Sequence, residues 1–362
     1  MLNKHQINLF RTLSQLNGIA GQENEIARFL RKTYVDMGYP IVTDNLGSIF
    51  AYKKSKVTNA PKVMVVGHMD EVGFICLGIE KNGLLKGHAV GGINSQTLLA
   101  HRILLKTKQG SYLYGSIDAI PPHLMSEDDA KKPVQIKDML FDFGFSSDEE
   151  AKNAGVYIGA MMVVEGSFHL LNEGKRLLGK AFDDRYGIVL GIELLEKLKH
   201  VDLEVDLYVG GSVQEEVGTR GAETSTHLIQ PDLAIVLDAS PARDSTGDKK
   251  ALGQLGGGVL LRYVDRSMIA FPELLAYQEK AVAKTKVKCQ FFDSPDGTDA
   301  GIIHKSVDGV LTLTHCLCAR NIHTCSTVLD VEDYLAAKKS LLWMIKDLDA
   351  KKIAGFKKVR QG

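Results

Sequence analysis

The chain has 362 residues, 44% of them apolar and 7% aromatic, and carries 44 Lys+Arg against 44 Asp+Glu. That length predicts two domains, and the zero formal charge excludes the basic field that a nucleic-acid binder or a membrane-surface protein needs. Five cysteines, an N-terminus without an apolar h-region and no apolar run near the roughly 18 residues of a membrane span predict a reduced, cytoplasmic chain with no membrane partner.

In chain order, Ile7, Phe10, Leu13 and Leu16 repeat at helical spacing, and a second helix is predicted over 23–37. Lys62-Val63-Met64-Val65-Val66 reads as a strand buried on both faces, and it stops at Gly67-His68-Met69-Asp70. From about 72 to 166 short alternating stretches are broken by Gly91-Gly92, Gly110-Ser111 and Pro121-Pro122-His123, the texture of a β-rich insertion. The α/β pattern resumes near Lys180, with a helix over 185–198, strands over 204–209, 233–237, 287–292 and 310–313, and an amphipathic helix over 331–348. The basic run from Lys351 to Arg360 is expected to be a solvated tail. The fold class is therefore α/β, a mixed, mostly parallel sheet with helices on both faces. Residues 1–70 and 167–362 form this domain, and a β-rich domain over 71–166 interrupts it.

Chemistry-bearing side chains gather where predicted strands end or helices begin. His68 and Asp70 follow the first buried strand, Asp183-Asp184 precede a helix, Glu215-Glu216 follow Gly210-Gly211-Ser212, and Asp238 ends Ile235-Val236-Leu237. Ligands of open α/β sheets bind at the C-terminal ends of strands, where side chains distant in sequence converge, and His323 after the last strand can join them. Two imidazoles and several carboxylates, with no thiolate required, suit Zn, Co or Mn. A shared carboxylate would hold two ions together, as two-metal hydrolases need. Asp70 can accept the proton of the His68 nitrogen that faces away from metal. Of Glu215 and Glu216, one can bind metal while the other serves as general base. Taken singly, each feature has a plainer account: acidic pairs at helix starts complement the helix dipole. Their convergence on strand ends is what points to a metal site.

The segments Gly67-His68-Met69-Asp70-Glu71-Val72-Gly73, Ala181-Phe182-Asp183-Asp184-Arg185-Tyr186-Gly187 and Gln214-Glu215-Glu216-Val217-Gly218-Thr219-Arg220-Gly221-Ala222 resemble the signatures of the tetrahedral (TET-type) co-catalytic metallo-aminopeptidases, nearest to the bacterial glutamyl aminopeptidases. Asp238-Ala239-Ser240-Pro241, Gly297-Thr298-Asp299-Ala300-Gly301 and Cys318-Ala319-Arg320-Asn321-Ile322-His323 support the resemblance, which runs in order from about residue 10 to 345. It implies two divalent metal ions per subunit, Zn or Co with Mn as a third option. Asp183 would bridge them, His68 and Asp238 would complete one shell, and Glu216 and His323 the other. Glu215 would be the general base and Asp70 the residue orienting His68. The insertion would be a PDZ-like dimerisation domain. Dimers would assemble into a tetrahedral dodecamer whose inward-facing sites admit short peptides. The implied activity is removal of N-terminal residues, with Glu or Asp preferred. A two-metal deacylase or amidohydrolase on the same scaffold and a catalytically silent shell protein are the competing readings.

Asp296, Ser95 and Thr324 depart from the residues frequent in that family; Asp296 bears on specificity if it lies near substrate. Cys316 and Cys318 alternate as buried strand residues do, and Gly256-Gly257-Gly258 lacks the Lys-Ser/Thr of a phosphate loop. His88, His101 and His123 are read as structural.

Overall fold

The computed structural model describes residues 1–127 and 131–361. At its centre is a six-stranded sheet in the spatial order Ile41–Thr43, Ile49–Lys53, Asp206–Ser212, Lys62–His68, Leu233–Val236, Leu311–Thr314. The last four strands run parallel and the first two pair antiparallel at one edge. Side chains alternate across a strand, and both faces of this sheet are buried. Val63 and Val65 pack into one apolar cluster with the helices Lys4–Gln15, Phe182–Leu198 and Val331–Asp347. Met64 and Val66 pack into another with Ala222, Ile229, Ala300 and Ile303 of the helices Arg220–Ile229 and Ala300–Ile303. A continuous β-branched run is what such a two-faced strand requires.

The first helix, Lys4–Gln15, is started by a capping box between Asn3 and Gln6. It lays Phe10 edge-on against Phe182 with ring centroids 6.0 Å apart, which fixes the helix that begins at the candidate site. The helix Asn24–Met37 ends at Gly38, whose φ of 84° is the left-handed cap that glycine adopts without strain.

Residues 73–164 carry a closed six-stranded antiparallel barrel, ordered Gly73–Ile79, Leu85–Val90, Phe141–Asp142, Tyr112–Ile117, Arg102–Lys106, Met161–Val164. Phe74, Leu85, Ile103, Leu105, Ile117, Phe141 and Met162 fill it as a separate core. A second, five-stranded sheet is ordered His169–Leu171, Arg176–Gly179, Thr327–Asp330, Leu317–Arg320, Ala239–Pro241. Two of its strands continue directly from central strands, across Leu237-Asp238 and His315-Cys316, so Asp238 sits at the corner between the sheets.

Two expectations differ from the structure. The predicted strand over 287–292 is Cys289–Asp293, and it pairs with Val259–Val264 in a separate two-stranded sheet, not with the central strands. Its burial alternates, with only Phe292 fully enclosed, which is the pattern of a strand covered on one face. The basic C-terminal run is the helix Ala350–Gln361, not a free tail. Ile353 is buried in the main core, Phe356 packs on Tyr277 at 5.5 Å, and Lys357 pairs with Asp232 at 2.5 Å. The lysines occupy the solvent side and hide the apolar stripe. No helix among the described residues is long and apolar enough to cross a membrane.

Candidate metal centre

Five segments from separate parts of the chain deliver the predicted residues to one place. His68 is the last residue of its central strand, Asp183 lies in the first turn of the helix Phe182–Leu198, and Glu215 and Glu216 follow Asp206–Ser212. Asp238 occupies the inter-sheet corner and His323 the turn between Leu317–Arg320 and Thr327–Asp330. The backbone is left-handed at Ala181, Gln214, Thr219 and His323, with φ between 53° and 60°. Non-glycine residues adopt that conformation at a cost of roughly 1–3 kcal/mol each, and such strain gathers at functional sites. Asp184 faces inward under the strand and accepts from the N–H groups of His68 at 3.2 Å and Gly187 at 3.1 Å. A Cβ at Gly67 or at Gly187 would collide with its carboxylate, so both positions need glycine.

Two groups of potential ligand atoms result, each within 4.8 Å: His68, Asp183 and Asp238, and Asp183, Glu216 and His323. Asp183 belongs to both. Its Oδ1 is 3.1 Å from His68 Nε2, and its Oδ2 is 3.2 Å from His323 Nε2. Asp238 Oδ1 lies 3.9 Å from His68 Nε2, and Glu216 Oε1 lies 3.3 Å from His323 Nε2. The outward nitrogens are held as well: His68 Nδ1 is 3.0 Å from the Asp70 carbonyl, and His323 Nδ1 is 2.6 Å from the Gly92 carbonyl. Both imidazoles therefore present Nε2 to the centre, the orientation that an outer-shell acceptor imposes on a ligating histidine.

Asp70 presents two acceptors to His68 Nδ1. Its carbonyl is the close acceptor for His68, while its carboxylate stands 3.6 Å away. The strand ends at His68, so strict alternation no longer governs Asp70. The carboxylate also accepts from Glu215 N–H at 3.0 Å and Glu216 N–H at 3.1 Å.

The electrostatics fit a site built for cations. Burial, and then the charge of Asp183 and its hydrogen bond, push Asp238 well above the usual carboxylate range, against the opposing pull of His68 and Arg262. Burial also raises Glu216 to about 7 and Glu215 well above its ordinary value, the latter helped by the charges of Asp238 and Asp299. Burial opposes the charge of His323, but its bond to Asp183 and the charge of Glu216 prevail and raise it to about 10. Crowded buried carboxylates repel one another, and divalent cations relieve that repulsion. The donor set, imidazole nitrogen plus carboxylate oxygen, matches Zn, Co or Mn.

Several functional neighbours were not legible in advance. Lys180 Nζ bonds Glu71 at 2.7 and 2.5 Å, and Arg185 reaches Glu71 at 3.4 Å. Arg185 also donates to the carbonyls of Met69, Leu13 and Leu16, tying the N-terminal helix to the His68 strand and the Asp183 helix. Ser212 Oγ donates to buried Asp299 at 2.5 Å. Glu71 and Arg185 lie inside the signature segments, yet nothing in the local pattern shows that they meet. The centre opens into a cleft of about 650 Å³ whose lining includes Arg266, Lys305 and Asp296.

The family model described as M42 glutamyl aminopeptidase matches residues 47–339. A glutamyl aminopeptidase of Lactococcus lactis subsp. cremoris is 36% identical over 348 residues, covering 96% of this chain and 98% of that one. The crystal structure of a TET aminopeptidase from a marine-sediment Thaumarchaeota archaeon superimposes with a TM-score of 0.93 at 34% identity, covering 98% and 100% of the two chains. A TET1 peptidase of Pyrococcus horikoshii, described as able to assemble into a tetrahedron or a large octahedral shell, superimposes with a TM-score of 0.86 at 28% identity over 95% and 100%. Fold, donor set and these matches define a metal-dependent peptide hydrolase. The chain belongs to the M42 family and is an aminopeptidase with the TET aminopeptidase fold.

Proposed function

We propose that this protein removes N-terminal residues, acidic ones by preference, from short peptides, using two divalent metal ions and Glu215 as general base. His68 and Asp238 would hold one ion, Glu216 and His323 the other, and Asp183 both. The observation that carries this reading is the sharing of Asp183 between two three-donor groups beside an open cleft. Bound there, the ions would supply Lewis-acid activation of a water and of the scissile carbonyl.

The chain's own groups do the rest. Glu215 stands next to the donors without belonging to either group, placed to take the proton of the attacking water as a carboxylate and return it to the leaving amine. Asp70 fixes the loop from which Glu215 projects. Arg266 and Lys305 line the cleft, are exposed, and have no ion-pair partner among the described residues, which favours an acidic side chain on the substrate. Asp296 lines the same cleft and opposes that preference.

The barrel would act as a PDZ-like dimerisation domain over 71–166, and dimers would build a tetrahedral dodecamer. Supporting this are the shell-forming relative and the exposed barrel side chains Leu77, Tyr114 and Ile158. The five unbonded cysteines support a cytoplasmic location.

The test is hydrolysis of Glu-, Asp-, Leu- and Lys-p-nitroanilides, with chelator and with Co or Zn restored, beside N-acetylated controls. Turnover of free-amine substrates that chelation removes and metal restores is expected. Turnover of the blocked substrates alone would move the assignment to a deacylase, and no turnover of either to a silent shell.

A further inference from the structure

The loop that carries Glu215 and Glu216 hands three consecutive backbone N–H groups to carboxylates. Asp70 receives those of Glu215 and Glu216, and Glu23 Oε1 receives that of Gln214 at 3.0 Å. The same Glu23 oxygen accepts Gly21 N–H at 2.8 Å. Glu23 is 191 positions from Gln214 and comes into reach because the N-terminal segment runs beside the metal-site strand, with Ile19 bridged to Glu71 and Glu71 N–H bonded to the Gly18 carbonyl at 2.9 Å. Glu23 is 5% exposed, and among the described residues no lysine, arginine or histidine forms an ion pair with it. Burying a carboxylate without a cation is costly unless hydrogen bonds satisfy it, and here the Gly21 and Gln214 N–H groups supply them.

Adjacent residues in regular structure face opposite ways, so Glu215 and Glu216 can serve one centre only if the chain turns sharply ahead of them. That turn is at Gln214, with φ 58°. Its far side is closed by Gly218 and Thr219 N–H groups on the Glu215 carbonyl, both at 2.9 Å. Its near side is held by Glu23 and Asp70. We infer that Glu23 is a positioning residue, which pins Gln214 in its left-handed conformation and so aims Glu215 and Glu216 into the metal centre. This rests on the proposed roles of those two glutamates as base and ligand.

One oxygen of Glu23 takes both bonds, so a carboxamide can keep them, whereas aspartate draws the acceptor back by about 1.5 Å. The experiment compares Glu23→Gln with Glu23→Asp. Glu23→Asp is expected to lower kcat on Glu-p-nitroanilide about 30-fold with KM within about twofold, and to weaken Co(II) binding to the metal-free protein about tenfold. Glu23→Gln should keep kcat within about fivefold of wild type. Hydrogen exchange on the wild-type chain reads the same contact independently: the Gln214 amide, the one bonded to Glu23, should exchange on the order of 100-fold more slowly than exposed loop amides. Wild-type kcat and Co(II) affinity in Glu23→Asp, equal losses in both variants, or an unprotected Gln214 amide would each overturn the assignment. Should Glu23→Asp not fold, Glu23→Gln and the exchange pattern decide. A wild-type chain without chelator-sensitive turnover would instead defeat the proposed function, and exchange and Co(II) affinity would still test Glu23.

Discussion

Asp183 Oδ2 lies 3.2 Å from His323 Nε2 while its other oxygen lies 3.1 Å from His68 Nε2, so one carboxylate touches both imidazoles. His68 ends a central strand and His323 sits in a turn of the second sheet, and among the described residues Asp183 is the one shared by both candidate ligand groups. Replacing it by asparagine removes a charge from both donor groups at once. Asp183→Asn is expected to lower bound metal from the proposed two per chain toward none and kcat by at least about 100-fold. Elemental analysis after gel filtration checks this; a chain that keeps one full equivalent would show that the two groups bind independently.

Glu215 belongs to neither donor group. Glu215→Gln should therefore keep metal stoichiometry while kcat falls by about 10²- to 10⁴-fold, the range of a lost general base. If metal content falls with activity, Glu215 is a ligand instead.

Arg266 and Lys305 should act on substrate choice, not on chemistry. Arg266→Gln with Lys305→Gln is expected to lower kcat/KM for Glu-p-nitroanilide about tenfold or more relative to the Leu substrate, the scale of one desolvated charge contact. Equal losses on both substrates would remove these cations from the specificity pocket.

The Lys180–Glu71 pair is buried at both ends, with 4% and 6% of the side chains exposed. Removing Lys180 leaves Glu71 enclosed with only the 3.4 Å ion pair to Arg185, at a cost of up to about 3–5 kcal/mol. Lys180→Met should lower the thermal midpoint sharply, and adding Glu71→Gln should recover part of the loss. A double variant less stable than Lys180→Met alone would contradict this.

His315 is buried away from the centre. Gln278 Nε2 donates to its Nδ1 at 3.0 Å, and Nε2 donates to the Ala337 carbonyl at 3.0 Å, so the neutral ring is the one the fold accommodates. Burial lowers its pKa to about 4 from 6.5. Because the unfolded chain takes up the proton first, this contribution is complete above pH 6.5 and is lost as pH falls from 6.5 toward 4. It amounts to about 3 kcal/mol. Urea unfolding at several pH values should show that slope, and His315→Gln should flatten it; an unchanged slope would assign the acid sensitivity elsewhere.

The apolar run 62–66 announced a two-faced strand, and the glycine-punctuated stretch after Val72 announced a β-rich insertion, because burial and turn chemistry act through neighbours in the chain. The C-terminal helix escaped notice because its apolar residues, Ile353 and Phe356, are outnumbered by lysines that face solvent. Likewise the alternation rule, applied to His68 and Asp70, gave no sign that the Asp70 carboxylate also holds the loop of Glu215 and Glu216.

By itself the sequence determined which side chains could carry chemistry: the residue types at strand ends and the signature segments around His68, Asp183 and Glu215 are local facts. Which of these meet was decided only by tertiary structure. Asp183 touches two histidines 255 positions apart (68 to 323), Asp70 turns to the Glu215 loop, and Glu23 supports Gln214 from the N-terminal segment. Such contacts depend on sheet order and on where a backbone turns left-handed, and these follow from packing of the whole chain, not from any short stretch of it.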